Sequence, residues 1–440
     1  MSKTMHLNLF IHNRGHHEAA WRHPKATKMS VYDVRYYQQL AQIAEKGLLD
    51  SVFFADQLAL PEDITNGPRT GLEPITTLAA VAAVTSHVGL IATASTTYTE
   101  PFNLARQFCS LDHISDGRIG WNIVTSWMAT AATNFSAESP ISHAERYARG
   151  EEFMTVAKKL WDSWAPDAVS DDRENGVFVA PGRFAPIDHS GTYYKVSGPL
   201  NLPRCPQGRP VLVQAGSSES GRAFAARHAE AIFTAQLAKS SAQHFYRDIK
   251  TRVAAEGRAP EHTLILPGLS PIIGSTEFEA RRLADELGEL ANPEAGRKRM
   301  SARFGGHDFS HLDLDRTLSP EDFPDPETIE AARSRTEVII NLVRQEKLTL
   351  RQLLAKLAGA RGHHTFAGTP EQLVDLMEDW VKDRAADGFN VMPPILPMML
   401  ETFIEEVVPI MQKRGLFRTA YGGATLRAHY GLPEPEGQYR

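Results

Sequence analysis

The chain has 440 residues, 42% of them hydrophobic and 23% charged, with 31 Gly and 27 Pro spread along its length. At about 150 residues per domain this allows two or three domains, or one large α/β barrel with an insertion, and it excludes a disordered or collagen-like chain. The formal charge of −6 argues against a nucleic-acid partner held by phosphate neutralisation, and the two cysteines, Cys109 and Cys205, are too few for a disulfide framework or a thiolate zinc site.

That scarcity of cysteine fits a reducing compartment, so the cytoplasm is expected. The N-terminus MSKTMHLNLFIHNRGHH has no cationic segment running into a long apolar one, so neither a signal peptide nor a membrane anchor is expected. No run of about 18 apolar residues occurs, which removes membrane-spanning helices.

In chain order, β-branched and aromatic runs alternate with stretches of helical period. A strand over His6 to Ile11 precedes a helix over Asp33 to Gly47 that stops at a glycine. Ser51 to Ala55, Val88 to Ala94 and Arg118 to Val124 read as strands, separated by helices over Glu73 to Ser86 and Asn103 to His113. Ser142 with Glu145 three residues on is a capping-box signature, and opens a helix running to Trp164.

Residues 166–206 are rich in Asp, Gly and Pro and read as an irregular excursion. Strands follow at Pro210 to Ala215, Ala231 to Thr234 and Leu264 to Ile273, and a last one at Phe389 to Met392. Before that last strand, residues 290–360 form a polar insertion with two helical segments, expected to lie over one end of the barrel as a lid or a dimerisation arm. After Gly415 the chain reads as a docked tail with a polar, disordered end. Eight strands alternating with helices predict a single (β/α)8 TIM-barrel domain over residues 1–440, with its insertions at the C-terminal face.

In such a barrel the chemistry sits where strands end. That rule selects Asn13 to His17, Asp56, Thr93 to Tyr98, Asn122 to Ser126, Gly216 to Gly221 and Met392 to Pro394. Asp56 closes an apolar strand, and reads equally as a ligand carboxylate or a turn former. Gln214-Ala-Gly-Ser-Ser-Glu-Ser-Gly opens a helix, so its backbone N–H groups, its hydroxyls and the helix dipole together suit an anion. As an alternative, the serine is simply an N-cap.

The 17 histidines cluster at His12, His16 and His17, at His307 and His311, and at His363 and His364, but with no H-x-H on the first strand end and no H-E-x-x-H a metal site is not expected. No G-x-S-x-G elbow supports a serine hydrolase, and the first β/α turn lacks the G-x-G-x-x-G of a tightly bound dinucleotide. Trp21, Trp121 and Trp127 lie near the expected mouth, and by type are more often core than cofactor-stacking residues.

Several segments resemble a known family. They are Gly15-His-His-Glu-Ala-Ala-Trp-Arg-His-Pro, Phe54-Ala-Asp, Thr93-Ala-Ser-Thr-Thr-Tyr-Thr-Glu-Pro-Phe-Asn-Leu-Ala-Arg, and Leu111-Asp-His-Ile-Ser-Asp-Gly-Arg-Ile-Gly-Trp-Asn-Ile-Val-Thr-Ser, then His143-Ala-Glu-Arg-Tyr, Gln214-Ala-Gly-Ser-Ser, Asp387-Gly-Phe-Asn and Arg414-Gly-Leu-Phe-Arg-Thr-Ala-Tyr. Running in order over nearly the whole chain, they are similar to the bacterial luciferase-like flavin-dependent monooxygenases, in the branch acting on nitrilotriacetate, EDTA, dibenzothiophene sulfone and long-chain alkanes. None of them singles out a substrate.

The resemblance implies the oxygenase half of a two-component system, in which reduced FMN and O2 oxygenate or cleave a small organic substrate. A separate NAD(P)H:flavin reductase would be its partner, and a homo-oligomer, dimer or tetramer, its assembly. Carried over residue by residue, Asp56, Thr93 and Asn122 would contact the flavin, while His143, Tyr147, Ser217 and Ser218 would hold its phosphate. Candidates for a catalytic part are Asn122, His16, His307 and His363.

The rival readings are a deazaflavin-dependent hydride-transfer enzyme on the same barrel and a flavin-binding protein without turnover. One departure stands out: Asn134-Phe135-Ser136 replaces the family's common Asn-Phe-Gly, and is expected to alter loop geometry more than flavin binding.

Overall fold

The computed structural model describes residues 4–61, 64–126, 128–137, 139–325, 333–360, 362–435 and 437. Trp127 and the polar end of the tail lie outside the described residues. Alternation in the first strand, β1 (His6–Ile11), sets the architecture. Leu7 and Leu9 face outward into an apolar layer beneath the helices, while Asn8 and Phe10 face a separate interior cluster.

The same alternation repeats in β2 (Ser51–Phe54), β3 (Gly89–Ser95), β4 (Ile119–Val124), β5 (Val211–Gln214), β6 (Ala231–Thr234) and β7 (Leu264–Ile273). A short β8 (His364–Gly368) and β9 (Gly388–Val391) complete the set. All pair in parallel in the order β6-β5-β4-β3-β2-β1-β9-β7, and a β6–β7 pairing closes the ring into a (β/α)8 barrel. The strand omitted from the prediction, β8, pairs with residues 269–273 of β7, on the edge that β6 leaves after Pro267.

The helices that cover the barrel are α1 (Val34–Lys46), α2 (Pro74–Ala82), α3 (Pro101–Ile114), α4 (His143–Trp161), α5 (Glu219–His228), α6 (Lys239–Ala255) and α7 (Glu277–Leu290). Trp121 belongs to their core: it packs against Phe108, Phe153 and Trp161, and its indole N–H donates to the Ala94 carbonyl at 3.1 Å. Helix α1 ends as expected at Gly47, but Gly47 has φ −80° and the left-handed residue is Leu48, at φ 60°. Space favours glycine there, since a β-carbon would stand 2.1 Å from Ile404 Cδ1 and that side chain would have to shift.

Residues 166–206 form two antiparallel hairpins, Val169–Asp172 with Val177–Val179 and His189–Ser190 with Lys195–Val196. The insertion contributes α8 (Pro293–Arg303), α9 (Arg333–Glu346) and α10 (Leu350–Ala360), folded round a cluster of their own that includes Phe304, Phe309, Phe323 and Leu353. It is tied to the barrel rim, where the Glu18 N–H donates to the Ala358 carbonyl at 3.0 Å and Arg299 pairs with Glu18. A further covering helix, α11 (Pro370–Lys382), precedes β9, and a continuous helical segment over residues 398–413 follows it and covers the barrel there.

The tail docks more deeply than a surface tail. Leu426, Tyr430 and Leu432 pack into the interior cluster, and the Tyr430 hydroxyl donates to Asn8 Oδ1 at 2.8 Å. The N-terminal mouth of the barrel is thereby plugged, and ligands have the C-terminal mouth left to them. No helix among the described residues is long and apolar enough to cross a membrane.

Candidate active site

At the C-terminal mouth, the inward side chains turn from apolar to polar. Phe10, Phe53 and Phe233 form the top apolar layer, with ring centroids 4.6 and 4.9 Å apart in sequence around it. Above them, Thr93 and Asn122 come from paired residues of β3 and β4, and Asn122 Nδ2 donates to Thr93 Oγ1 at 2.8 Å. Both are buried, and Asn122 Oδ1 has no hydrogen-bond partner. A buried amide oxygen without a donor costs about 1–3 kcal/mol, which makes this atom a candidate acceptor for a ligand donor.

The same rim is rich in hydroxyls. Ser126 Oγ donates to Ser95 Oγ at 2.6 Å, and Thr97 Oγ1 to the Thr125 carbonyl at 2.8 Å. Beyond them the N-termini of α4 and α5 converge. Ser142 caps α4 by accepting the Glu145 N–H, and the first residue, His143, lies 4.9 Å ring to ring from Tyr147 one turn on. Ser218 caps α5 by accepting the Gly221 N–H at 3.1 Å, and a β-carbon at Gly221 would stand 3.1 Å from the Tyr147 hydroxyl.

His143, Tyr147 and the Ser217–Ser218 turn therefore share one open patch, although 70 residues and more separate them in sequence. Two helix N-termini, two serines, a tyrosine and a histidine there make a donor set for a phosphate dianion. Ser218 is the N-cap of α5, and its hydroxyl lies on this rim beside Tyr147.

The other predicted residues divide. Asp56 is half-buried at the end of β2 and accepts the Gln57 N–H at 2.8 Å; burial holds its carboxyl above the ordinary range, and the nearby Glu73 adds to the effect. His16 is buried over the mouth, with its Nε2 2.9 Å from the Phe10 carbonyl and its ring 4.5 Å from that of Phe10. His363 overhangs the opposite wall, where a β-carbon on Gly268 would meet its Nδ1 at 2.1 Å and the Met392 sulfur at 2.6 Å.

His307 differs from these: it packs on Phe309 within the insertion's own cluster, at 4.7 Å. Ser136 adopts a left-handed conformation, φ 60° and ψ 20°, a region that glycine enters most easily. Among the described residues no group of three or more His, Cys, Asp or Glu is placed to hold a metal ion.

Sequence reasoning missed two features. Asn390 on β9 lies beside Asn8 on β1, and its Oδ1 has no hydrogen-bond partner; the Asp387-Gly-Phe-Asn segment pointed to it without giving it a role. Three arginines, Arg22, Arg69 and Arg299, line one cavity of about 320 Å³ between the loops after β1 and β2 and the start of α8. They come together from distant segments, and two of them hold protein partners there: Arg22 donates to the Leu290 carbonyl and Arg299 pairs with Glu18.

Known proteins match this chain along its length. Residues 5–387 fit the family described as luciferase-like monooxygenase. N-acetyl-S-(2-succino)cysteine monooxygenase of Bacillus subtilis is 47% identical over 99% of this chain and 98% of its own. Nitrilotriacetate monooxygenase component A of Aminobacter aminovorans is 44% identical over 99% and 98%. The solved structure of EDTA monooxygenase from Chelativorans sp. BNC1 superposes with a TM-score of 0.84 at 36% identity, covering 98% of this chain and 99% of that one. Matches of this extent, on a closed (β/α)8 barrel, mean that this chain belongs to the luciferase-like monooxygenase family and is a flavin-dependent monooxygenase.

Proposed function

We propose that the chain is the oxygenase component of a two-component system, binding reduced FMN supplied by a separate reductase and oxygenating a small organic substrate with O2 in the cytoplasm. The convergence of His143, Tyr147, Ser217 and Ser218 on one patch, at the same barrel mouth as the partnerless Asn122 Oδ1, carries this reading. When bound, reduced FMN supplies the electrons and the reaction with O2, so that one oxygen atom enters the substrate and the other leaves as water.

The chain's own residues do the rest. The α4 and α5 N-termini fix the phosphate, and Asn122, held by Thr93, offers a carbonyl oxygen to a ring N–H. Phe10, Phe53 and Phe233 form an apolar floor to the mouth, which would help to keep water from a bound flavin ring. His16, braced against the Phe10 carbonyl, stands where it can hold a proton beside the reacting atoms.

The test compares FMN with riboflavin. Ser217→Ala and His143→Ala each remove a donor to a dianion, an effect of about 1–3 kcal/mol, so FMN affinity should fall roughly ten- to a hundredfold. Riboflavin affinity should hardly change. Equal losses for both flavins would assign these residues to folding alone.

A further inference from the structure

We propose that Cys109 and Cys205 form a peroxide-sensitive thiol pair: hydrogen peroxide oxidises the Cys109 sulfur, and Cys205 then closes a reversible disulfide with it. These are the chain's two cysteines, far apart in sequence, and the fold buries both at one place, where the end of α3 meets the loop over residues 203–208 that leads into β5. The contact is built from both sides. The Pro203 carbonyl accepts from Cys109 Sγ and from His113 Nε2, each at 3.3 Å, and Asp112 Oδ1 accepts the Gln207 side-chain amide at 2.6 Å. Cys205 follows Pro203 closely in that loop, the Gly208 N–H donates to its carbonyl at 2.8 Å, and its thiol hydrogen-bonds that of Cys109.

Their surroundings divide the chemistry between the two sulfurs. The hydrogen bond from Cys205, aided by His113, holds the Cys109 thiol below its ordinary range, and the bond to Cys109 raises the His113 imidazole in turn. Burial pushes the Cys205 thiol up, the Cys109 sulfur and the Asp112 carboxyl add to the effect, and the Arg204 guanidinium opposes it. A thiolate attacks peroxide where a thiol does not, so Cys109 reacts first and Cys205 stays protonated to resolve the product. His113 is half-buried, and it links the pair to the side from which an oxidant as small as peroxide approaches.

The Cys109 thiolate attacks one peroxide oxygen, the O–O bond breaks, and the leaving hydroxide takes the proton that His113 holds. The sulfenic acid so formed is attacked by the Cys205 sulfur, whose proton leaves with the hydroxyl as water while the S–S bond forms. Two electrons pass from sulfur to peroxide, and a dithiol reductant returns them. Only the source of the oxidant rests on the oxygenase reading, since reduced flavin that meets O2 without transferring oxygen to a substrate releases hydrogen peroxide. The bond ties α3 to the loop entering β5, and so stabilises the folded chain.

The test adds reagent hydrogen peroxide to the full chain and reads intact mass, unreduced peptide maps and urea unfolding. The chain should lose two hydrogens, yield a Cys109–Cys205 cross-linked peptide and shift to a higher urea midpoint, with dithiothreitol reversing all three. Cys205→Ser should instead leave a sulfenic acid on Cys109 that dimedone traps, and His113→Gln should slow oxidation severalfold. Cysteines that stay reduced while methionines oxidise, cross-links between chains rather than within one, or equal dimedone labelling of Cys109 with and without Cys205 would each overturn the proposal. The cross-link is read on the unsubstituted chain, so a variant that fails to fold does not remove the test. Because peroxide is supplied as a reagent, a failure here and a failure of FMN binding are separate results.

Discussion

A buried polar atom is informative when its partner is missing, and Asn122 is the clearest case. Its amide nitrogen is committed to Thr93, which fixes the side chain and leaves Oδ1 facing the mouth. His17, in the loop after β1, shows the opposite situation. Its Nδ1 accepts the Ala19 N–H, and burial, aided by the charge of nearby His23, pulls its pKa from 6.5 to about 4, so the ring is neutral when folded. The unfolded chain binds a proton near pH 6.5 that the folded chain refuses until about pH 4. Stability contributed by this group is therefore complete above pH 6.5 and declines as pH falls towards 4, by a total of order 3 kcal/mol. Urea unfolding from pH 7 to pH 4 should show that decline, and His17→Asn, which keeps an acceptor near Nδ1 but cannot titrate, should flatten it; parallel curves would assign the acid sensitivity elsewhere. Single residues such as Thr93 and Ser218 were legible in the sequence because strand ends and helix starts are marked locally. Arg22, Arg69 and Arg299 were not, because nothing local marks residues that only the fold brings together round one cavity.

Strands were legible as elements because the barrel imposes a period of two on apolar residues, and each such run has an inside and an outside. Helix ends were less so where a distant side chain intervenes. Helix α2, expected to reach Ser86, stops at Ala82 because the buried Arg118 guanidinium takes the carbonyls of Ala82, Thr85 and Val88, at 3.3, 2.9 and 2.8 Å. Strand β8 escaped detection because only its alternate residues are half-buried and it borrows an edge of β7. The loop after β1 depends on a similar long-range fit. His16 and His17 donate backbone N–H groups to the carbonyls of Pro393 and Pro394, and Gly15, at φ 136°, sits so close that a β-carbon would stand 2.1 Å from the Pro394 oxygen. That backbone cannot move aside without dragging the loop after β9. Gly15→Ala should therefore cost about 1–3 kcal/mol in urea unfolding and disorder the His12–His16 pair over the mouth. Unchanged stability together with unchanged His16 ring resonances would show that the loop has slack the packing does not suggest.

At the scale of the whole molecule, the tail and the insertion divide the barrel's two ends between them. Tyr430 and Leu426 close the N-terminal mouth, leaving a single polar mouth whose rim carries both the candidate phosphate patch and the arginine cavity. The division of labour implied is between proteins as well. The Rossmann way of holding a nicotinamide dinucleotide uses a glycine-rich β/α turn in close contact with its pyrophosphate, and the sequence contains no G-x-G-x-x-G. Its first β/α turn is instead occupied by His16 and His17, packed on Pro393 and Pro394. The pure chain with FMN should therefore oxidise NADH no faster than FMN alone, and substrate-dependent O2 consumption should begin when a flavin reductase is added. Because only reduced flavin has to pass between the two proteins, consumption should persist when a membrane permeable to FMN separates them. NADH oxidation by the pure chain above the FMN blank would place the electron source within this barrel, and an absolute need for contact would require a docked reductase.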